Sequence, residues 1–176
     1  LAKKVEGIET DKNLSLKVNE MGISTNASIK NIVGEYDSIF MFHVLEHLID
    51  PETVLNDIKK ALVDGGHLII EVPSALDYLL KLKKFRDFSL WSEHRVLHTP
   101  LSLYKILDYI GFKKIKISSC QRYGIDNHLN WIAFGKQGGH KTSLKYLNNF
   151  VTKKVHTSLL KYLKKNDTLY AICEKK

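Results

Sequence analysis

Apolar residues fall into short runs along the chain, and two of these runs are nearly continuous. Residues 36–44 (YDSIFMFHV) and 67–73 (HLIIEVP) have the pattern that is typical of strands buried on both faces of a sheet. Residues 113–124 alternate Ile115 and Ile117 with lysines, which predicts a strand at the edge of a sheet. Further strands are predicted at 3–9, weakly at 23–28, and at 167–175.

The stretches between these runs carry apolar residues at helical spacing, with capping residues at their ends. Asp11 is a suitable N-cap for a helix that Gly22 closes. Asp50 and Pro51 supply the cap and first residue of a second helix, which the Gly65–Gly66 pair is expected to stop. Further helices are predicted over 74–85, 101–112 and 144–165, and a loop over 86–100.

The alternation of strands and helices predicts an α/β domain with a mainly parallel sheet. The 176 residues are enough for one domain with a sizeable core, and 44% of them are hydrophobic, as in globular proteins. No apolar run is long enough to cross a bilayer, and the first residues lack a signal-peptide pattern. The two cysteines, Cys120 and Cys173, lie far apart, which favours reduced thiols in a cytoplasmic protein.

The net charge of +8 comes mainly from lysines that are spread over several segments. We interpret most of them as solvated faces, with attraction to an acidic substrate or a membrane surface as the alternative. Over 144–165 the apolar residues between the lysines predict a core face, with a peripheral membrane or partner helix as the second interpretation. No nucleic-acid-binding motif accompanies the lysines, so no nucleic-acid partner is predicted.

His43, Glu46 and His47 spell H-x-x-E-H, a zinc-peptidase pattern when it lies on a helix. The preceding run has strand character and the helix signals come only at Asp50, so we predict a loop after a buried strand. Glu71 and Glu93 are available as a third ligand, but neither belongs to a metal motif. We therefore predict no metal site, and a zinc hydrolase that uses His43 and His47 is kept only as an alternative.

Three segments resemble the class I S-adenosylmethionine-dependent methyltransferases. Residues 36–73 are similar to that family's fourth strand, V-L-E-H loop, D-P helix start, G-G turn and fifth strand. Residues 5–11 (VEGIETD) resemble the second strand with its terminal acid, and 93–112 resemble a later segment with two histidines and a T-P pair. The resemblance covers about residues 4–120 and the last strand, and it implies a Rossmann-like three-layer sandwich.

The family's Gly-rich loop, which follows the first strand and holds the cofactor's amino-acid end, has no counterpart in the sequence. The chain also begins at Leu1, so we expect a piece of a longer protein that lacks the first strand of the sheet. The resulting gap would lie between the strands at 4–9 and 37–42. Whether the chain acts alone stays open, and the alternative is a catalytically inactive binding domain on the same fold.

The resemblance implies S-adenosylmethionine as cofactor and seven residues around it, at the ends of three strands. They are Glu9, Thr10, Asn26, Ala27, Phe42, His43 and His47. Glu9 would accept both ribose hydroxyls, and the aromatic ring of Phe42 could face the sulfonium. An ordinary surface acid and a core phenylalanine are the respective alternatives.

The predicted acceptor site combines histidines with a polar and aromatic segment. His47, His94 and His98 are the candidate catalytic residues, because a histidine can take the proton from a hydroxyl as the methyl group moves. The candidate substrate-binding residues are Arg95, Tyr123, Asn127 and His128. A loop-fixing role is the alternative for the histidines, and for Glu46 we favour a structural role.

We divide the chain into a partial methyltransferase core, residues 1–120 and 166–176, and a helical insertion, residues 121–165. The insertion is expected to form the acceptor site, a lid or the contact of a homodimer. The predicted reaction is methyl transfer to a small molecule or glycan, with oxygen as the acceptor atom.

Overall fold

The computed structural model describes residues 2–32, 35–91 and 94–176. Its strands are β1 (Glu6–Ile8), β2 (Ser24–Asn26), β3 (Tyr36–Phe42), β4 (Leu62–Pro73), β5 (Lys113–Cys120) and β6 (Thr168–Glu174). Its α-helices are α1 (Lys12–Glu20), α2 (Pro51–Ala61), α3 (Lys83–Trp91), α4 (Pro100–Ile110), α5 (Ile125–Phe134) and α6 (Phe150–Tyr162).

The strands form two sheets. The larger has the order β3-β4-β6-β5, in which β3 and β4 are parallel and β6 is antiparallel to both of its neighbours. Strands β3, β4 and β5 therefore run in one direction and β6 runs in the other. The sheet, predicted to be mainly parallel, is partly parallel. The parallel pair β1-β2 forms the second sheet. Among the described residues no ladder joins the two sheets, although the Tyr36 hydroxyl contacts the Glu6 carboxylate.

The core lies between one face of the larger sheet and helices α2 and α4. Alternate residues of β4 and β6 point into it and pack against Leu55, Ile58, Leu103 and Leu107. The opposite face is more open, since Phe40 is 61% exposed and Ile172 is 46% exposed. The prediction that residues 36–44 are buried on both faces was therefore wrong, because the helices that pack on the core side cover only one face of this sheet.

Local capping signals set the ends of several helices as predicted. Asp11 accepts hydrogen bonds from the amides of Asn13 and Leu14, 2.8 and 3.0 Å away, and Asp50 accepts from Thr53 at 3.0 Å. Gly111 ends α4 with a φ of 89°, a left-handed conformation that favours glycine.

Two helix boundaries differ from the predictions. Helix α2 ends at Ala61, and Gly65 and Gly66 lie inside β4, where they exchange backbone hydrogen bonds with Lys175 at 3.1 and 2.9 Å. The glycines therefore extend the sheet instead of stopping the helix.

The second difference concerns residues 74–100. Residues 74–85 contain only a 3-10 turn, Tyr78–Lys81, before α3 begins at Lys83. The segment predicted as a loop over 86–100 is helical to Trp91. Phe88 and Leu90 are exposed on this helix, so its apolar residues do not form the single buried stripe from which a helix is predicted.

The segment between β5 and β6 is helical, with α5 and α6 joined by two 3-10 turns. The predicted apolar face of 144–165 was wrong for α6, since Val151 is 65% exposed and Val155 is 62% exposed. Leu160 is buried instead, because α6 contacts α5 and β5 through the neighbouring face of the helix. No helix in the described part of the chain is long and apolar enough to span a membrane.

Candidate functional site

The first turn after β3 has an unusual backbone. Phe42 ends the strand, and His43 follows with a φ of 53° while its amide donates to the Glu71 carbonyl on β4 at 2.9 Å. A short 3-10 turn, Leu45–His47, leads on to the cap of α2. The predicted strand and loop are therefore confirmed, and the α-helical placement of His43 and His47 that a zinc peptidase requires is excluded.

Glu46 is the centre of the site. Its side chain is fully buried, and its Oε1 atom lies 3.2 Å from His43 Nδ1 and 4.0 Å from His47 Nε2. Its Oε2 atom is buried without a hydrogen-bond partner among the described residues. Buried carboxylate oxygens are usually satisfied, so this oxygen indicates a position for a ligand or a proton.

Backbone hydrogen bonds hold the segment from His94 to His98 against the Glu46 loop and against the residues that follow β4. The amide of Arg95 donates to the Glu46 carbonyl at 2.8 Å, and the amide of Ala75 donates to the His98 carbonyl at 2.8 Å. An isolated bridge pairs Ser74 with His98. The Arg95 side chain is exposed, so its contact with Glu46 is through the backbone.

The three predicted catalytic histidines meet at Glu46. The rings of His47 and His94 lie 4.8 Å apart between centroids. His98 is buried, and burial lowers its pKa, while the nearby Glu46 carboxylate acts in the opposite direction. One ring nitrogen of each of the three, Nδ1, is buried without a partner in the described part of the chain. Glu46, His47 and His94 could hold a metal ion, because one ligand atom from each lies within 4.8 Å of the others.

A second polar group lies beside His43. Glu71 Oε1 lies 3.1 Å from His43 Nε2, and the Arg122 guanidinium donates to the same oxygen at 2.7 Å and also contacts His43. Glu71, considered above as a zinc ligand, is thus paired with Arg122. Arg122 belongs to the polar and aromatic segment predicted for the acceptor site, but its pairing with Glu71 was not predicted. The other candidate ligand, Glu93, lies outside the described residues.

Asp167 fixes the loop that carries Arg122. Its buried carboxylate accepts from the amides of Arg122 and Tyr123, each at 2.9 Å, and from Gln121 Nε2 and Thr168 Oγ1 at 2.5 and 2.7 Å. Burial raises the pKa of Asp167, and the hydrogen bonds from the Tyr123 and Arg122 amides act against that. No sequence signal identifies this residue beyond its place before the last strand.

The cofactor-side candidates lie at the carboxyl ends of parallel strands, where open α/β sheets bind ligands. Glu9 follows β1, is half-buried, and accepts from the Asp11 amide at 2.9 Å. Asn26 ends β2, and its carbonyl accepts a hydrogen bond from the Glu9 amide at 3.0 Å. Thr10 and Ala27, the next residues along the two segments, are exposed. Phe42 is half-exposed at the end of β3.

The acceptor-side candidates are less uniform. Tyr123 is exposed and Asn127 is half-buried near the start of α5. His128 is buried, with Nδ1 2.7 Å from His156 Nε2 and Nε2 3.4 Å from Gln121. Burial and the His156 ring lower the pKa of His128 to about 4, so it is neutral near pH 7. Both ring nitrogens have protein partners, which supports a structural role for this histidine.

Similarity to known proteins agrees with this architecture. A family model described as a methyltransferase domain matches residues 2–117, and no curated protein matches the chain. A SAM-dependent methyltransferase from Archaeoglobus fulgidus is 18% identical, with 97% of this chain and 75% of that one covered and a TM-score of 0.62. A phosphoethanolamine N-methyltransferase from Haemonchus contortus, solved with S-adenosyl-L-methionine, is 14% identical. The alignment covers 98% of this chain and 43% of that one, with a TM-score of 0.61.

An N-methyltransferase from Bradyrhizobium japonicum, solved with S-adenosyl-L-homocysteine, is 15% identical, with 98% and 67% coverage and a TM-score of 0.55. The chain spans less than half of the Haemonchus protein and about two thirds or more of the other two. The match to the family model extends over most of the sequence, from before β1 into β5. The chain therefore belongs to the methyltransferase-domain family, and it is a class I S-adenosylmethionine-dependent methyltransferase.

Proposed function

We propose that the chain methylates a hydroxyl group of a small molecule or glycan, with S-adenosylmethionine as methyl donor. The observation that carries the proposal is the group of histidines around the buried Glu46, which lies next to the carboxyl end of β3. A hydroxyl acceptor loses a proton during methyl transfer, and neutral imidazoles near the reacting oxygen can accept it. Exposed Tyr123 and Arg95 and the lysine-rich surface would suit a polar, acidic acceptor.

The residues at the strand ends fit the cofactor. Glu9 has an acidic, half-buried side chain that can accept hydrogen bonds from two neighbouring hydroxyls, as a ribose presents. Phe42 offers an exposed aromatic face for a cationic group, and His43 holds the turn beside it through Glu71. When bound, S-adenosylmethionine supplies an electrophilic methyl group on a positively charged sulfur.

The protein's own contribution is then orientation and proton transfer. Holding two reactants in line can contribute roughly 7–11 kcal/mol, and a general base a further ~10²–10⁴-fold in rate. His98 suits the second role because burial lowers the pKa of its imidazole, which favours the neutral, proton-accepting form.

The test is a methyl-transfer assay with radiolabelled S-adenosylmethionine on panels of sugar nucleotides, glycans and small hydroxyl compounds. We expect transfer to a hydroxyl panel member, with kcat reduced about 10²-fold or more in His98→Gln. His67→Gln, which changes an exposed histidine of β4 that pairs with Glu174 of β6, is the matched control and should keep the wild-type rate. Transfer that is equally fast in His98→Gln would remove the proton-transfer role.

Nitrogen is the second candidate acceptor atom, because two of the similar structures are named N-methyltransferases. A panel of primary amines in the same assay separates the two. Methylated amines with no methylated hydroxyl would overturn the oxygen proposal, and they would leave the cofactor assignment intact.

Location and assembly stay predictions. The free thiols of Cys120 and Cys173 support a reducing compartment such as the cytoplasm. A homodimer would cover the exposed apolar residues of α6, among them Phe150, Val151 and Val155. Light scattering after size-exclusion chromatography tests it, with a monomer as the contradicting result. In this proposal the 121–165 segment forms part of the acceptor site or a lid over it.

A further inference from the structure

We infer that Glu46, His47 and His94 form a binding site for a divalent transition-metal ion of the Zn²⁺ class, with one coordination position left open beside the partly accessible His47. The inference goes beyond methyl transfer and does not depend on it. From the sequence no metal site is predicted, because His43 and His47 belong to a loop and neither Glu71 nor Glu93 lies in a metal motif. In the structure His47 meets His94 instead, a residue from a distant segment.

The donor set suits such an ion. Two imidazoles and one carboxylate are a known ligand set for catalytic Zn²⁺, which keeps a fourth position for water or substrate. One ligand atom from each residue lies within 4.8 Å of the other two. A tetrahedral ion with bonds of about 2.1 Å needs ligand atoms roughly 3.4 Å apart, so modest side-chain rotations would complete the site. Imidazole nitrogens disfavour Mg²⁺ and Ca²⁺, which prefer oxygen ligands.

Unsatisfied polar atoms in the cluster point to a missing ligand. Glu46 Oε2 and the Nδ1 atoms of His47 and His94 are buried without hydrogen-bond partners in the described part of the chain. The Glu46 side chain is fully buried, and leaving such a group unpaired is costly. An ion between these residues would supply the missing interaction.

The surroundings hold the ligands in place. His43 Nδ1 lies 3.2 Å from Glu46 Oε1, the hydrogen-bonded arrangement that often orients a metal-binding carboxylate. The Glu46 carbonyl accepts from the Arg95 amide at 2.8 Å, which ties the His94 segment to the Glu46 loop. About a third of the His47 side chain is accessible, so an ion could reach the cluster and keep an open position. His98 would remain outside the coordination.

The test is titration of the metal-free chain with ZnCl₂ by calorimetry and with CoCl₂ by visible absorption, because Co²⁺ reports coordination by its spectrum. We expect one equivalent to bind, and we expect His47→Gln and His94→Gln each to weaken binding at least ~10–100-fold, the range for partners that only support a metal site. His140→Gln, an exposed histidine distant in sequence, should bind as the wild type does.

Circular dichroism of each variant separates loss of the site from loss of the fold, and the wild-type titration is decisive if a variant unfolds. No saturable binding to the wild type, or equal binding to His47→Gln and His94→Gln, would overturn the inference. Titration of the same samples with S-adenosylhomocysteine keeps this result distinct from that of the cofactor assignment, since either can fail while the other holds.

Discussion

Replacing Asp167 with alanine should destabilise the protein by about 2–4 kcal/mol. The carboxylate accepts from the amides of Arg122 and Tyr123 and from the Gln121 side chain, and alanine leaves these donors without their acceptor. Each buried donor left unsatisfied costs about 1–3 kcal/mol. Burial raises the pKa of Asp167, which means that the ionised form is desolvated, so part of the loss is offset when the charge is removed.

The assay is urea unfolding at neutral pH, followed by circular dichroism and by tryptophan fluorescence. Asp108→Ala changes an exposed aspartate on α4 and should shift the free energy of unfolding by no more than about 0.5 kcal/mol. Asp167→Asn should fall between wild type and Asp167→Ala, because the amide keeps one acceptor oxygen but turns an N–H group toward the donors. A loss below about 1 kcal/mol in Asp167→Ala would refute the reasoning that this residue fixes the loop.

Three further changes test the core and two titrating groups by urea unfolding. Leu107 lies in the core beneath the sheet, so Leu107→Ala should lower the free energy of unfolding by about 2–5 kcal/mol. Leu101 is on the exposed side of the same helix, so Leu101→Ala should lower it by under ~1 kcal/mol. Equal losses would contradict the packing of α4 against the sheet. The folded pKa of His128 is lowered to about 4, so the stability that its neutral form contributes is present above pH 6.5 and is lost as the pH falls toward 4. His128→Gln should therefore make the free energy of unfolding depend less on pH in this range. An unchanged pH dependence would count against the buried, neutral state of His128. Burial raises the pKa of Asp77 to about 7, so the stability of the fold falls as the pH rises from 3.8 through 7. Asp77→Asn keeps the hydrogen bond that caps Leu79, and it should raise the free energy of unfolding by about 1–2 kcal/mol at pH ~8 and by little at pH ~4. A stabilisation that is the same at both pH values would contradict the burial of an ionisable Asp77.

Local signals were enough to predict most elements of the fold. Asp50 before Pro51 begins a helix because a side-chain acceptor and a ring-fixed φ suit the first turn in any tertiary context. Gly65 shows the limit of such signals. A glycine can stop a helix or extend a strand, and the pairing with Lys175 at the far end of the chain decides between the two.

The sequence was enough to select the residues around Glu46, but it did not predict how they are arranged in space. His47, His94 and His98 could be selected as chemically able side chains, but their meeting at Glu46 depends on backbone contacts from Arg95 and Ala75. Those contacts join segments far apart in sequence, which periodicity does not reveal.

Two other features escaped prediction for related reasons. Arg122 reaches Glu71 only because β5 and β4 run in the same direction and end at the same edge of the sheet. The exposure of Val151 and Val155 depends on which face of α6 meets α5, and an amphipathic pattern cannot specify its partner.

Calorimetric titration of the chain with S-adenosylhomocysteine tests the assignment of the cofactor site at the strand ends most directly. Glu9 is expected to accept the ribose hydroxyls, so Glu9→Gln should weaken binding about 10–100-fold, the cost of losing a charged hydrogen-bond acceptor. Glu20→Gln, at the exposed end of α1, should leave the affinity unchanged. We predict saturable 1:1 binding, with the wild type and Glu20→Gln binding equally tightly and Glu9→Gln binding more weakly. The absence of saturable heat, or equal affinity for the wild type and Glu9→Gln, would contradict a cofactor site at the ends of β1 and β3.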